Sequence, residues 1–258
     1  MEVINGTWYM NGISGSDEGC LHKSSDLLEV IEETGFLPLF SNEIPGFSVE
    51  NMTDPACWWS GDTESDPWEW RIVLSRTGKV AYGKFFGNRA GFVSKKWFPY
   101  FANFRRNGYD FDALYDEGKA GNREKLLMDL FVPSGIDMWD VKKSELDKYG
   151  CMPELYTFEM KEKAGFGKGG QKNFEGVLAR LQMQTYLIAS DFKPRLNKKG
   201  IEYGWPVAIM TPPEYLWGYK HVTGRYKESP EESLEKIVRQ IRGHFDCDEK
   251  TVRKVLKL

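Results

Sequence analysis

Cysteine, histidine and long apolar runs are all scarce in this sequence, and each shortage closes off a class of protein. The four cysteines (Cys20, Cys57, Cys151, Cys247) are widely spaced and form no Cys-x-x-Cys pair. They are expected to be reduced thiols in a cytoplasmic protein, neither a disulfide frame nor a zinc site. The three histidines (His22, His221, His244) include no pair at metal-ligand spacing, so no metal and no cofactor is expected. No apolar run approaches the roughly 20 residues that span a bilayer, so no membrane partner is expected. The opening residues lack the basic-then-apolar pattern of a secretory signal. There is no Gly-x-Ser-x-Gly elbow and no declared Ser/His/Asp set. Gly165-x-Gly167-x-x-Gly170 has the letters of a dinucleotide fingerprint, but a helical segment precedes it where a strand is required.

What is present is charge, unevenly distributed. Residues 1–70 hold fourteen acids against one base, Lys23, a balance of −13; residues 71–258 balance at +10. Such asymmetry suggests an acidic portion beside a polyanion-binding portion. The basic residues concentrate between Lys161 and Lys199, with nine Lys or Arg and three acids.

Periodicity and punctuation predict an α+β chain. Residues 1–23, rich in Gly, Asn and Ser, read as a flexible arm. Residues 24–118 read as an acidic α+β region. It has a helix over 26–34 ended by Gly35, and a helix from Trp68 to Arg76. Asp66 caps that second helix, with Pro67 in the first helical position. Capping is a better use of Asp66 and Glu69 than acid–base chemistry. A hairpin turns at Gly87-Asn88-Arg89, and an aromatic helix over 95–106 follows. A polar link near 116–122 marks a boundary. Residues 119–212 read as a winged-helix unit, and 213–258 as a C-terminal helical extension in which Ser229-Pro230-Glu231-Glu232 starts a helix.

The chain is organised around Thr157–Thr211. A helix over 157–163, a glycine-rich basic turn, a second helix starting after Asn173, and a long hairpin turning at Asn197-Lys198-Lys199-Gly200 follow the order of the second half of a winged helix. Lys168, Lys172 and Arg180 on the turn and helix, with Lys193, Arg195, Lys198 and Lys199 on the hairpin, form a two-point clamp suited to phosphates. Of the hairpin aromatics, Tyr203 or Trp205 would support an extruded base, with core packing the expected place of Trp205. Gln182-Met183-Gln184 is the sharpest motif. If the helix ends near Leu181, both amides project from the same side of an extended segment and suit a base edge or a water. If the helix continues, they diverge.

Several blocks resemble the AlkZ-related family of bacterial proteins: DPWEWR (66–71), AYGKFF (81–86), WFPYFANFRR (97–106), GFGKGGQKNFEG (165–176), LQMQTYL (181–187) and LWGY (216–219). The resemblance covers 24 to about 245. It extends more distantly to AlkZ-type winged-helix DNA glycosylases, which excise alkylated purines and carry a glutamine–apolar–glutamine motif. By that likeness Gln182 and Gln184 are the catalytic pair, one positioning water and the other stabilising an oxocarbenium-like sugar. The expected partner is double-stranded DNA. Two other readings stand beside the glycosylase: a dimeric winged-helix regulator without catalysis, and a protein-interaction module whose basic face docks on an acidic surface, its own residues 1–70 included.

Overall fold

The computed structural model of the chain describes residues 2–4 and 7–256, with side chains from Tyr9 to Leu256. A short antiparallel ribbon of β1 (Glu2–Ile4) and β2 (Thr7–Tyr9) opens it. Then come α1 (Ser24–Thr34), β3 (Phe36–Pro38), α2 (Pro67–Arg76), β4 (Val80–Phe86), β5 (Arg89–Ser94), α3 (Phe98–Arg106), α4 (Phe111–Asp116) and α5 (Asn122–Met128). After two 3₁₀ turns follow β6 (Leu155–Tyr156), α6 (Thr157–Lys163), α7 (Phe174–Met183), β7 (Ile188–Leu196) and β8 (Glu202–Thr211). The chain closes with α8 (Pro213–Trp217), α9 (Tyr219–Val222), α10 (Pro230–His244) and α11 (Glu249–Val255). The mixed α+β class is therefore correct. Of the 1–23 arm, Met1, Asn5, Gly6 and the side chains of the first eight residues lie outside the described residues. The rest of the arm runs beside 50–54, with Ile13 N–H donating to Thr53 O and Leu21 N–H to Met52 O.

Local chemistry sets most of these boundaries. Asp66 is fully buried and accepts from Trp68 N–H at the start of α2. Its carboxylate also takes N–H bonds from Trp59 and Gly61, which uses it as an anchor and not as an acid–base group. Gly87 and Asn88 both have positive φ, the pair of conformations that a two-residue hairpin needs. Ser229 and Glu232 form a reciprocal capping box at the start of α10.

One six-stranded antiparallel sheet runs β3-β5-β4-β7-β8-β6. The polar link near 116–122 is a surface turn, yet the sheet crosses from one side of it to the other where Tyr82 on β4 faces Ala189 on β7. Helix α2 covers the Tyr82–Phe192 face, with the Arg71 guanidinium 4.6 Å from the Phe192 ring. Helices α3 and α7 cover the Gly83–Phe85 face, where Phe101 packs on Phe85 at 5.7 Å. Gly83 is required there, because a Cβ would sit 2.8 Å from the Phe85 ring and 3.4 Å from Gln182 Oε1. Among the described residues no helix is long and apolar enough to cross a membrane.

Two consecutive arginines on α3 meet opposite fates. Arg106 is buried, donates to Glu214, to Thr185 O (2.7 Å) and to Thr185 Oγ1 (3.1 Å). Burial is the largest single effect and pulls its pKa down, but the Glu214 carboxylate and the Tyr226 and Tyr186 hydroxyls beside it together raise it. Arg105 is equally buried and gives one hydrogen bond, Nη2 to Phe85 O at 2.6 Å, while its Nε and Nη1 have no partner among the described residues. Burial pushes its pKa down to about 9, so it remains charged at neutral pH, with only the Phe101 and Phe104 rings beside it. Removing one member of a buried ion pair costs about 3–5 kcal/mol, whereas a buried charge with no counter-ion already carries a desolvation penalty. Arg106→Met should therefore lose about 3–5 kcal/mol of unfolding free energy in urea titrations. Arg105→Met should lose none or gain; equal losses in both variants would contradict this account.

Candidate nucleic-acid interface

The turn between α6 and α7 is a built loop. Gly165, Gly167 and Gly169 all have positive φ, and Asn173 enters α7 at φ 65°. Gly167 N–H donates to Gln171 O (3.1 Å) and Gln171 N–H to Gly165 O (2.9 Å), closing the loop on itself. Phe166 and Phe174 pin its two ends with an edge contact of 5.4 Å. Lys168 and Lys172 are exposed on it, beside a cleft of about 340 Å³ that Lys161 and Gln171 also line. No side chain caps α7, so its N-terminal N–H groups and positive dipole end stay available to an anion.

The hairpin of β7 and β8 runs past the end of β4 as an arm. At its tip Asn197 Oδ1 accepts from Lys199 N–H and Ile201 N–H, and Gly200 takes positive φ. The register slips between Lys193 and Arg195, opposite a bulge at Gly204 (φ 73°). The bulge leaves Trp205 the most exposed large apolar side chain of the described residues, at 73 %, with Tyr203 at 50 %. Trp205 is thus a surface residue and not a core one. The base of the arm is tied down where Arg76 Nε donates to Asp191 (2.6 Å), and nearer the turn the Arg195 guanidinium lies 5.1 Å from the Phe158 ring on α6.

The seven predicted basic residues divide by partner. Lys168, Lys172, Lys198 and Lys199 are exposed with no ion pair among the described residues, and Arg195 touches only an aromatic ring. Lys193 is shared with Asp191 at 3.4 Å. Arg180 is bound to Glu124, a carboxylate with 5 % side-chain exposure, and joins α7 to α5. Both charges are largely neutralised within the fold.

Helix α7 continues through Met183, so the two glutamines diverge. Gln182 is buried; its Oε1 accepts from Lys84 N–H of β4 (3.1 Å) and its Nε2 donates to Leu178 O (3.4 Å). Gln184 caps the helix, is half-buried, and its side chain has no hydrogen-bond partner among the described residues. Thr185 follows at φ 65°, where glycine is usual. Thr185 N–H donates to Gln182 O and Tyr186 N–H to Leu181 O, and Arg106 grips the strained residue from α3. Clefts flank the motif. Met183 lines one of about 430 Å³ with Asn88, Arg89 and Lys254. Tyr186 lines a narrow one of about 30 Å³ with Arg106, Asp112 and Glu214. Burial, then the neighbouring aspartates against Lys125, raises the Asp112 carboxyl above its ordinary value. Sequence reading missed Arg106, Asp112 and Glu214, because their meeting depends on contacts about a hundred residues apart in the chain. Among the described residues no cluster of three or more His, Cys, Asp or Glu is placed to hold a metal.

The fold and surface thus define an antiparallel α+β protein with an anchored basic arm and an uncapped helix start. The chain belongs to the AlkZ-related family, whose family model matches residues 21–257. No curated protein and no solved structure matches it.

Gln182→Ala leaves Lys84 N–H buried without its acceptor and should cost about 1–3 kcal/mol of stability. Gln184→Ala should change it by less than about 0.5 kcal/mol, as for a surface substitution. Thermal or urea unfolding of the two variants reads the difference.

Proposed function

We propose that this chain is a winged-helix protein that binds double-stranded DNA and acts on alkylated bases as a DNA glycosylase. The observation that carries the DNA reading is the arm. It is a tethered hairpin whose Lys198 and Lys199, without ion pairs among the described residues, and ring-contacting Arg195 lie on the same hairpin as exposed Tyr203 and Trp205. Phosphates attract the bases, and the aromatic faces suit a base or a sugar. The order α5, β6, α6, α7, β7, β8, with strands adjacent as β6-β8-β7, supports the winged-helix unit over 119–212. In that arrangement α7 is the helix offered to DNA, and Lys168 and Lys172 flank its start. Family membership supports a role related to DNA repair.

For catalysis the available amide is Gln184. It alone of the pair has no side-chain hydrogen-bond partner among the described residues, so it is the one fitted to hold an attacking water. Gln182 acts on this reading as a positioning residue, fixing the end of α7 to β4. The same observation favours a second reading, in which the chain binds DNA as a regulator without catalysis, because one of the two motif glutamines is already spent on the fold.

A duplex carrying one N-methylated purine separates them. The first reading expects abasic sites with the unaltered protein and their loss in Gln184→Ala at unchanged melting temperature. Binding without abasic sites leaves the regulator. Lys198→Ala with Lys199→Ala should weaken duplex binding at every sequence and lower the slope of log affinity against log salt by about one to two.

A further inference from the structure

We propose a separate phosphate-binding site made by Lys79, Ser94, Lys95, Lys96 and His221, at the end of the sheet from which the arm projects. These residues, with Glu32 of α1, line a cleft of about 440 Å³. None of them belongs to the clamp described above. The three lysines are exposed and have no ion-pair partner among the described residues, the neighbouring Glu32 included. Ser94 is 2 % exposed, and its hydroxyl is buried without a hydrogen-bond partner.

The backbone holds this group in place. Lys95 N–H donates to Lys79 O at 2.9 Å, tying the two lysines side by side. His221 Nε2 lies 3.0 Å from Lys95 O, which as an acceptor fixes the ring proton on that nitrogen. The nine-residue helix α3 begins at Phe98, directly beyond Lys96-Trp97, and no side chain caps it. Its first turn, in which Pro99 carries no N–H, still presents the positive end of the helix dipole to three unneutralised ammonium groups. A hydroxyl, several cations and a helix start are the donor set that suits a phosphate oxygen cluster.

Register places the site relative to the arm. Val80 faces Ser94, and Tyr82 faces Ala189, so β7 runs toward the Val80–Ser94 end before it leaves the sheet. Two strand spacings separate β5 from β7, about 10 Å. The cleft and the arm thus lie at the same end of the sheet, where one polyanion backbone can touch both. This last step rests on the DNA reading; the phosphate pocket itself does not.

The test uses the full chain with two ligands, inorganic phosphate by calorimetry at low ionic strength and a duplex across a salt series. The variants are the triple Lys79→Ala, Lys95→Ala, Lys96→Ala, the single Lys95→Ala, the single Ser94→Ala, and Lys250→Ala on α11 as a control matched in charge to the single lysine variant. Melting temperatures check that each folds. The expected result is a loss of at least about tenfold in affinity for phosphate in the triple variant and a smaller loss in Ser94→Ala, with Lys250→Ala unchanged. A duplex salt slope lowered by about one identifies the backbone as the source. An unchanged duplex response with lost phosphate binding identifies a free phosphate or a phosphorylated small molecule. If the unaltered chain binds no duplex at all, the DNA reading fails and the phosphate arm alone decides. Neither ligand distinguishing the triple variant from the control would overturn the site.

Discussion

The molecule hangs together at one strand junction, where Tyr82 of β4 lies against Ala189 of β7. It is the seam between the acidic N-terminal part and the basic C-terminal part, and it is short. What reinforces it comes from above the sheet. Because Gly83 has no side chain, α7 lies close on β4, and Gln182 reaches the Lys84 N–H that the strand leaves open. Arg76 bonds Asp191 on one side of the seam and Arg106 bonds Thr185 on the other. A side chain at position 83 would press on the Phe85 ring and on Gln182, and so strain the bond that ties α7 to β4.

That dependence explains why the most strained and most charged interior groups crowd the same place. Thr185 occupies a left-handed conformation that costs a branched residue about 1–2 kcal/mol relative to its ordinary one. It persists because Arg106 holds both its hydroxyl and its carbonyl. Arg106 in turn stays charged in the interior because Glu214 answers it. Strain of this kind survives where the surroundings over-determine the backbone, and such places cluster at working sites. The end of α7, with an unengaged Gln184 and clefts on both flanks, fits that description.

Local signals made much of this legible in advance. Asp66 with Pro67, Ser229 with Glu232 and Gly87 with Asn88 each encode a cap or turn within a few residues, and the structure uses them that way. The 157–163 helix and the long hairpin were readable from periodicity and the Asn197–Gly200 turn. Long-range partners were not. Whether Gln182 and Gln184 share a side depended on where α7 stops, and the open bond at Lys84 N–H decided the fate of Gln182. Charge counting made Arg180 and Lys193 look available, but Glu124 and Asp191 engage them from distant or neighbouring elements. The aromatic pattern of α3 concealed Arg105 and Arg106, whose burial is visible only once α3 lies on the sheet. The linker composition near 116–122 likewise gave no hint that one sheet passes across it.

The arm is anchored at its root by Arg76 on Asp191 and again near its turn by Phe158 against Arg195, while its tip turns on an Asn197 side chain that braces the loop from within. A hairpin held in this way keeps one shape whether or not anything touches it. Its order is established during folding, so contact with a partner forfeits little additional conformational freedom. Anything that docks on such a hairpin would be selected by shape and fit, as by a fixed tool, since a surface held in this way does not adapt to the wrong curvature.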